Sequence, residues 1–204
     1  MLSDNFPSPV GEAGGGSYSF PVSHYLCGMR KLSMDELGRK SVHEFKASDK
    51  RPVIAVLENI RSAYNVGSVL RTADAFLLEA VYTTGYTAHP PHKQISKTAL
   101  GADESVHTQH FANAAEAIAS LKELGYTVLA AEQAESSYKL QHFSNGPEDK
   151  IAVVFGNEVT GVEQSTILLC DGCIEIPQAG MKHSLNVSVA AGIVLWKLCE
   201  PSFV

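Results

Sequence analysis

The sequence predicts an α/β fold, a mostly parallel sheet with helices on both faces. Two observations carry this. Short continuous apolar runs recur at 53–57 (VIAVL), 127–131 (TVLAA) and 151–155 (IAVVF), the pattern of strands buried on both faces. Between them fall stretches with helical spacing, clearest at 66–77, 114–124 and 185–198, and strands alternating with helices build parallel sheets. A chain of 204 residues, 45% apolar and 19% charged, can form one such domain with a short extension.

Residues 1–23 hold a triple glycine, several Ser and Pro and little apolar periodicity, so they read as irregular or disordered. Residues 24–51 read as a short, basic, helical extension. Ser33 and Glu36 have capping-box spacing, which starts a short helix near Met34. Between Arg30 and Arg51 stand seven Lys or Arg against four Asp or Glu. A solvated helix and an RNA-facing extension both fit that count. The α/β domain then occupies 52–204. No apolar run approaches the roughly 20 residues that span a bilayer, and the first residues lack a signal-peptide pattern. The expected location is therefore cytoplasmic, with no membrane partner. A net charge of −6 does not announce a nucleic-acid binder, but a local basic patch is sufficient for one.

After the 53–57 strand, Asn65 is a plausible N-cap for a helix whose apolar stripe is Val66, Val69, Leu70, Ala73 and Leu77. Gly67 leaves room for another backbone one turn before Arg71. That arrangement sets Arg71 beside the carboxy end of the first strand, where open parallel sheets bind ligands. An ion pair with Asp74 at i+3 would account for the same arginine. Shorter strand candidates follow at 80–84, 105–108 and 173–176. Residues 90–101 read as a proline-bounded loop and a short helix.

The 151–155 strand runs into Gly156-Asn-Glu158-Val-Thr-Gly161. The Lys and Ser or Thr of a phosphate-binding loop are missing, and so are the glycines of a dinucleotide fingerprint. What remains is a glycine loop holding one carboxylate, which an ordinary turn with a helix-capping Glu would also explain. Cys170 and Cys173 have C-x-x-C spacing, but no second ligand pair completes a zinc site, so they read as core or turn cysteines and no metal is expected. Ser184 is a good N-cap for the last helix, which is apolar nearly all round. Such a helix is buried on more than one side, which points to a subunit interface as well as a core. Asn186 and Ser188 are polar groups in that apolar setting and require partners.

Three segments together resemble the SpoU (TrmH) family of RNA methyltransferases, in the SPOUT superfamily. They are Asn59-Ile-Arg61-Ser-Ala-Tyr-Asn65-Val-Gly67-Ser-Val-Leu-Arg71-Thr-Ala73, then Val154-Phe-Gly156-Asn-Glu158-Val-Thr-Gly161-Val162, then Ile174-Glu-Ile176-Pro177-Gln-Ala-Gly180-Met181-Lys-His-Ser184-Leu185-Asn186-Val187-Ser188-Val-Ala190. The resemblance runs from about Val53 to Leu198. Gln178 departs from the Met that many relatives carry there.

The resemblance implies a SPOUT-like fold with a deep C-terminal trefoil knot, involving the chain after about Lys150. It implies S-adenosylmethionine as cofactor, a homodimer through the C-terminal helix region, and transfer of a methyl group to a ribose 2′-hydroxyl, in tRNA or else in rRNA. By position, the catalytic set is Arg71, Asn65, Glu158, Ser184 and Asn186. Cofactor contacts fall on Leu129, Ala130, Ala131, Gly156, Ile176, Met181 and Leu185. RNA contacts are expected from Arg61, Arg71, Lys93, Lys97 and Lys182. Because a guanidinium as a rule holds its proton, Arg71 is read as binding a neighbouring phosphate and stabilising the developing alkoxide; it acts as a base only in strongly depressing surroundings. A catalytically silent RNA-binding protein on the same fold, a base methyltransferase of the superfamily and an unrelated nucleotide-binding module are the competing readings.

Overall fold

The computed structural model describes residues 30–33, 36–38, 40–182 and 184–203. The expectations for residues 1–23, and for Met34 as a helix start, lie outside them. The chain divides into two units, of which Lys40–Val204 is the compact one that holds the sheet. In the earlier segment the expected capping pair is made: Ser33 N–H donates to Glu36 Oε2 at 2.8 Å, and Glu36 N–H to Ser33 Oγ at 3.4 Å. Residues 36–38 form a turn there, not a helix.

The compact unit is an α/β layer structure. Its seven strands are β1 (Arg51–Glu58), β2 (Leu78–Thr84), β3 (Thr108–Phe111), β4 (Thr127–Ala131), β5 (Tyr138–Lys139), β6 (Ile151–Phe155) and β7 (Gly172–Glu175). Their order is β3-β2-β1-β6-β4-β7-β5, and every pairing is parallel. The helices are α1 (Val42–Ala47), α2 (Ala63–Ala75), α3 (Lys93–Ala99), α4 (Ala102–Ser105), α5 (Ala114–Glu123), α6 (Gln164–Ile167) and α7 (Val187–Cys199). Because strand side chains alternate, Val53, Ala55 and Leu57 of β1 pack with α2 and α7, while Ile54 and Val56 pack with α5 on the other face. The central strands are buried on both sides, as their unbroken apolar runs require. Within the span expected as an extension, α1 has a complete capping box at Ser41–Glu44 and buries Phe45 in the first core.

Three of the boundaries that differ from expectation bear on the site. The N-cap of α2 is Ser62, whose Oγ accepts from Asn65 N–H. Asn65 is therefore inside the first turn, and its side chain is free for another use. The N-cap of α7 is Asn186, which accepts from Ser188 N–H, while Ser184 stays in the preceding loop. Strand β3 starts at Thr108 rather than 105, because Ser105 closes α4 and donates to Asp74 Oδ1 at 2.6 Å. That bond also occupies the expected partner of Arg71.

Gly67 is where α3 comes down onto α2. A Cβ at Gly67 would lie 2.1 Å from Thr98 Oγ1 and 2.4 Å from the Ile95 carbonyl oxygen. In an exposed helix Gly→Ala gains about 1 kcal/mol. Here the sign reverses: Gly67→Ala is expected to cost roughly 1–3 kcal/mol, as overpacking does, and urea unfolding would measure it.

Helix α7 buries Val187, Ala191, Val194, Leu195, Leu198 and Cys199. Its other face leaves Val189, Ile193 and Trp196 exposed at 51%, 39% and 50%. Trp196 stands edge-on to Phe76 of the α2 C-cap (5.6 Å) and stacks on Phe203 (5.0 Å). Among the described residues no helix is long and apolar enough to cross a membrane, and no cluster of His, Cys, Asp and Glu could hold a metal. Burial pushes the Cys170 thiol up to about 12, and its Sγ donates to the Thr166 carbonyl, so it is a packed thiol.

Candidate active site

The loops leaving β1, β2, β4, β6 and β7 gather at the carboxy ends of the parallel strands, the edge where such sheets place ligands. The loop after β6 folds sharply on itself. Asn157 and Gly161 exchange backbone hydrogen bonds (3.0 and 2.9 Å), and Gly161 takes φ +70. A Cβ on Gly156 would lie 2.1 Å from the backbone of Gly161 and Val162, so only glycine closes this loop. Asn157 Oδ1 accepts from Val159 N–H at 2.8 Å and from Thr160 N–H at 3.2 Å.

That tight loop aims Glu158 at the start of α2. Its carboxylate accepts from the N–H groups of Arg61 (2.9 Å) and Ser62 (3.1 Å), and from Asn65 Nδ2 (2.9 Å). The first N–H groups of a helix have no partner of their own, and a carboxylate there also meets the positive end of the helix dipole. Partial burial works to raise the Glu158 pKa, but these hydrogen bonds prevail and hold it below its ordinary value. Glu158 thus fastens the segment that enters α2, almost a hundred residues earlier in the chain.

The line continues. Asn65 Oδ1 accepts from Asn186 Nδ2 at 3.2 Å, and Asn186 Oδ1 accepts from Ser188 N–H (2.9 Å) and Oγ (2.6 Å). One residue from each of the three segments joins a single hydrogen-bonded row. Beside it lies a pocket of about 450 Å³, with apolar walls that include Phe155, Ile174, Val187 and Val194. Ala131, Gly156, Ile176 and Leu185 of the expected cofactor set line it, together with Glu158 and Ser184. Leu129 and Ala130 are buried in the sheet, and Met181 is 86% exposed; none of the three lines the pocket.

Arg71 is elsewhere. It lines a separate groove of about 460 Å³ between α2 and α3, with Ser68, Thr72, Phe76, Lys97 and Thr98. Arg61, Arg71, Lys93, Lys97 and Lys182 are all exposed, and none forms an ion pair among the described residues. Asp74, the partner expected for Arg71, accepts from Ser105 Oγ at 2.6 Å, and Glu158 accepts from the Arg61 backbone N–H.

Sequence reasoning missed two polar residues of this edge. Glu132 lines the pocket and accepts from Val162 N–H at 3.0 Å; its place directly after the 127–131 run could have marked it. Asn157 bonds with its Nδ2 to the Asn59 carbonyl and to Tyr86 Oη, both at 2.7 Å, and ties the loops after β1, β2 and β6 together. No local pattern signals that.

Comparison with known proteins gives the family and the fold. The description "SpoU rRNA Methylase family" matches residues 52–196. The 23S rRNA (guanosine-2'-O-)-methyltransferase RlmB of Vibrio parahaemolyticus is 33% identical over 164 residues, 79% of this chain and 64% of that one. The tRNA (guanosine(18)-2'-O)-methyltransferase of Thermus thermophilus is 32% identical over 162 residues, 79% of this chain and 81% of that one. The chain therefore spans less than two thirds of the Vibrio relative and most of the Thermus one. Among solved structures, the A. aeolicus TrmH/SpoU tRNA modifying enzyme superposes with a TM-score of 0.69 at 23% identity, covering 79% of this chain and 82% of that one. The AdoMet-bound rRNA methyltransferase from Sinorhizobium meliloti gives 0.69 at 22% identity, covering 81% and 61%.

Proposed function

The chain belongs to the SpoU methylase family, and from that premise we propose that it is an S-adenosylmethionine-dependent RNA 2′-O-ribose methyltransferase acting on tRNA. The observation that carries the reading is the row Glu158–Asn65–Asn186, which joins three distant segments along one side of a pocket. The choice of tRNA follows the Thermus thermophilus relative, 81% of whose length this chain covers.

The pocket fits the cofactor. Its volume lies within the range of small-molecule sites, roughly 300–1,000 Å³. Apolar walls suit an adenine ring, and the Glu132 and Glu158 carboxylates suit ribose hydroxyls and a sulfonium charge. When bound, S-adenosylmethionine supplies an activated methyl group. The chain's own task is to hold the reacting hydroxyl, exclude water and stabilise charge where it develops. Ser184 offers a hydroxyl at the pocket wall. Arg71 is the residue proposed to meet the RNA, binding the adjacent phosphate and the developing alkoxide, with Lys97 beside it in the groove and Arg61, Lys93 and Lys182 engaging further phosphates.

Two features of fold and assembly belong to the same proposal. The C-terminal segment is read as a deep trefoil knot; in support, β7 is inserted between β4 and β5, both of which precede it in the chain. The chain is read as a homodimer through α7. The open face of Val189, Ile193 and Trp196 supports that, and Phe76 connects this face to the Arg71 groove. A second copy on α7 would then complete the surroundings of Arg71. Its site of work is the cytoplasm.

The test is transfer of labelled methyl groups from S-adenosylmethionine into RNA from cells lacking this protein, followed by nuclease digestion and mass spectrometry. A 2′-O-methylated nucleotide in tRNA is expected. A methylated base, or no transfer, would sink the reading, and a ribose methyl in rRNA would move it to the other substrate.

A further inference from the structure

Tyr86 takes no part in the proposed chemistry, yet it is held with care. It stands in the loop 85–92 at the carboxy end of β2, and it is 63% exposed. Its N–H donates to Asn59 Oδ1 at 3.4 Å, and its phenol oxygen accepts from Asn157 Nδ2 at 2.7 Å. Gly85, with φ +61, keeps the turn close: a Cβ there would lie 2.0 Å from Asn59 Oδ1. The next residue anchors the loop from below, since Thr87 Oγ1 donates to the Leu57 carbonyl and accepts from Ile60 N–H. The residue is thus held at its backbone and at its hydroxyl while much of it faces water. The bond to Asn157 accounts for the phenol oxygen, but apolar surface left in water forgoes the stabilisation that burial brings, so the exposed ring face stays open to a ligand. Asn157, its tether, is a wall residue of the cofactor pocket.

The same loop carries a second flat surface. The His89 ring stacks on His110 with centroids 4.2 Å apart and planes 25° from parallel, and both residues are exposed. His110 Nδ1 is fixed by Thr83 Oγ1 at 3.0 Å. Sequence-tolerant recognition of single-stranded nucleic acid uses such surfaces, because every unstacked base has a π-face.

We propose that the loop 85–92 is a stacking platform for unpaired nucleobases of the RNA substrate, with Tyr86 as its principal ring and the His89–His110 pair as a second. This rests on the RNA-methyltransferase reading and names the part of the substrate that the site edge takes: an unpaired stretch next to the reacting ribose.

The experiment measures initial rates of labelled methyl transfer, as a function of RNA concentration, into RNA from cells lacking this protein. Wild type is compared with Tyr86→Phe, Tyr86→Leu and Tyr86→Ala, and calorimetry with S-adenosylmethionine reports whether the pocket is intact. Tyr86→Phe is expected within about twofold of the wild type. Tyr86→Leu and Tyr86→Ala are expected to raise KM for RNA roughly five- to 150-fold, the range that loss of one stacked base implies, with cofactor affinity unchanged. His89→Ala should give a smaller rise. If Tyr86→Phe fails as badly as Tyr86→Ala, the hydroxyl tether and not the ring matters; if Tyr86→Leu matches Tyr86→Phe, only bulk matters. Either result overturns the platform. A wild-type protein that transfers nothing would sink the function itself, and the platform with it, before any variant is compared.

Discussion

Arg71→Ala is expected to lower kcat for methyl transfer about 10²–10³-fold, the cost of removing one electrostatic stabiliser of a developing oxyanion, while S-adenosylmethionine binding stays within about twofold. The two halves of this expectation have separate origins. Arg71 does not line the 450 Å³ pocket, so cofactor affinity has no reason to change. It is exposed in its own groove with no ion-pair partner among the described residues, so its charge is available to an anion from outside. Arg71→Lys separates charge from shape. A lysine keeps the charge but loses the planar fork that grips phosphate and alkoxide together, so an intermediate loss of about tenfold is expected. Steady-state rates with excess cofactor, paired with calorimetry, would check both. Near-normal transfer by Arg71→Ala would remove the residue from the mechanism.

The different fates of Arg71 and Asn65 show what kind of information the sequence held. The strands at 53–57, 127–131 and 151–155 were legible because a parallel sheet covered on both faces demands apolar side chains at every position, and little else does. The two-residue β5 carries no such pattern, and the strand order that threads β7 between β4 and β5 has no local signature. Helix starts were legible only to within a few residues. Ser62 and Asn65, or Ser184 and Asn186, are all competent caps, and local propensity cannot choose between them. The choice was made by Glu158, which takes Asn65 as a donor and leaves Ser62 as the cap. Likewise Asn157, Glu132 and Tyr86 gain their places from loops that meet across 30–98 residues of chain. A resemblance carried over residue by residue reached Asn65, Glu158 and Asn186 as a set. It could not foresee that Arg71 would stand in a groove of its own.

Glu158 is where stability and site geometry coincide, and Glu158→Ala is the second large effect expected. The substitution strands two backbone N–H groups at the start of α2 and the Asn65 amide. Hydrogen bonds to a charged group contribute roughly 1.5–3 kcal/mol each, and they are not additive in a shared network. A total loss of about 2–4 kcal/mol is therefore expected in urea unfolding at neutral pH. Methyl transfer should fall by at least about tenfold through the released Asn65–Asn186 row. The pH dependence gives an independent check. Glu158 has its folded-state pKa below the ordinary 4.5. Its contribution is therefore complete above the unfolded value and is lost as pH falls through the folded one. Wild-type stability should decline more steeply below about pH 4.5 than that of Glu158→Gln, which has no charge to titrate there. Glu158→Gln keeps one acceptor oxygen but turns an NH₂ group toward donors, so at neutral pH it should lie between wild type and Glu158→Ala. If the two stability–pH curves run parallel through the acid range, the carboxylate is not what fastens the loop after β6 to the first turn of α2, and the row across the three segments has some other anchor.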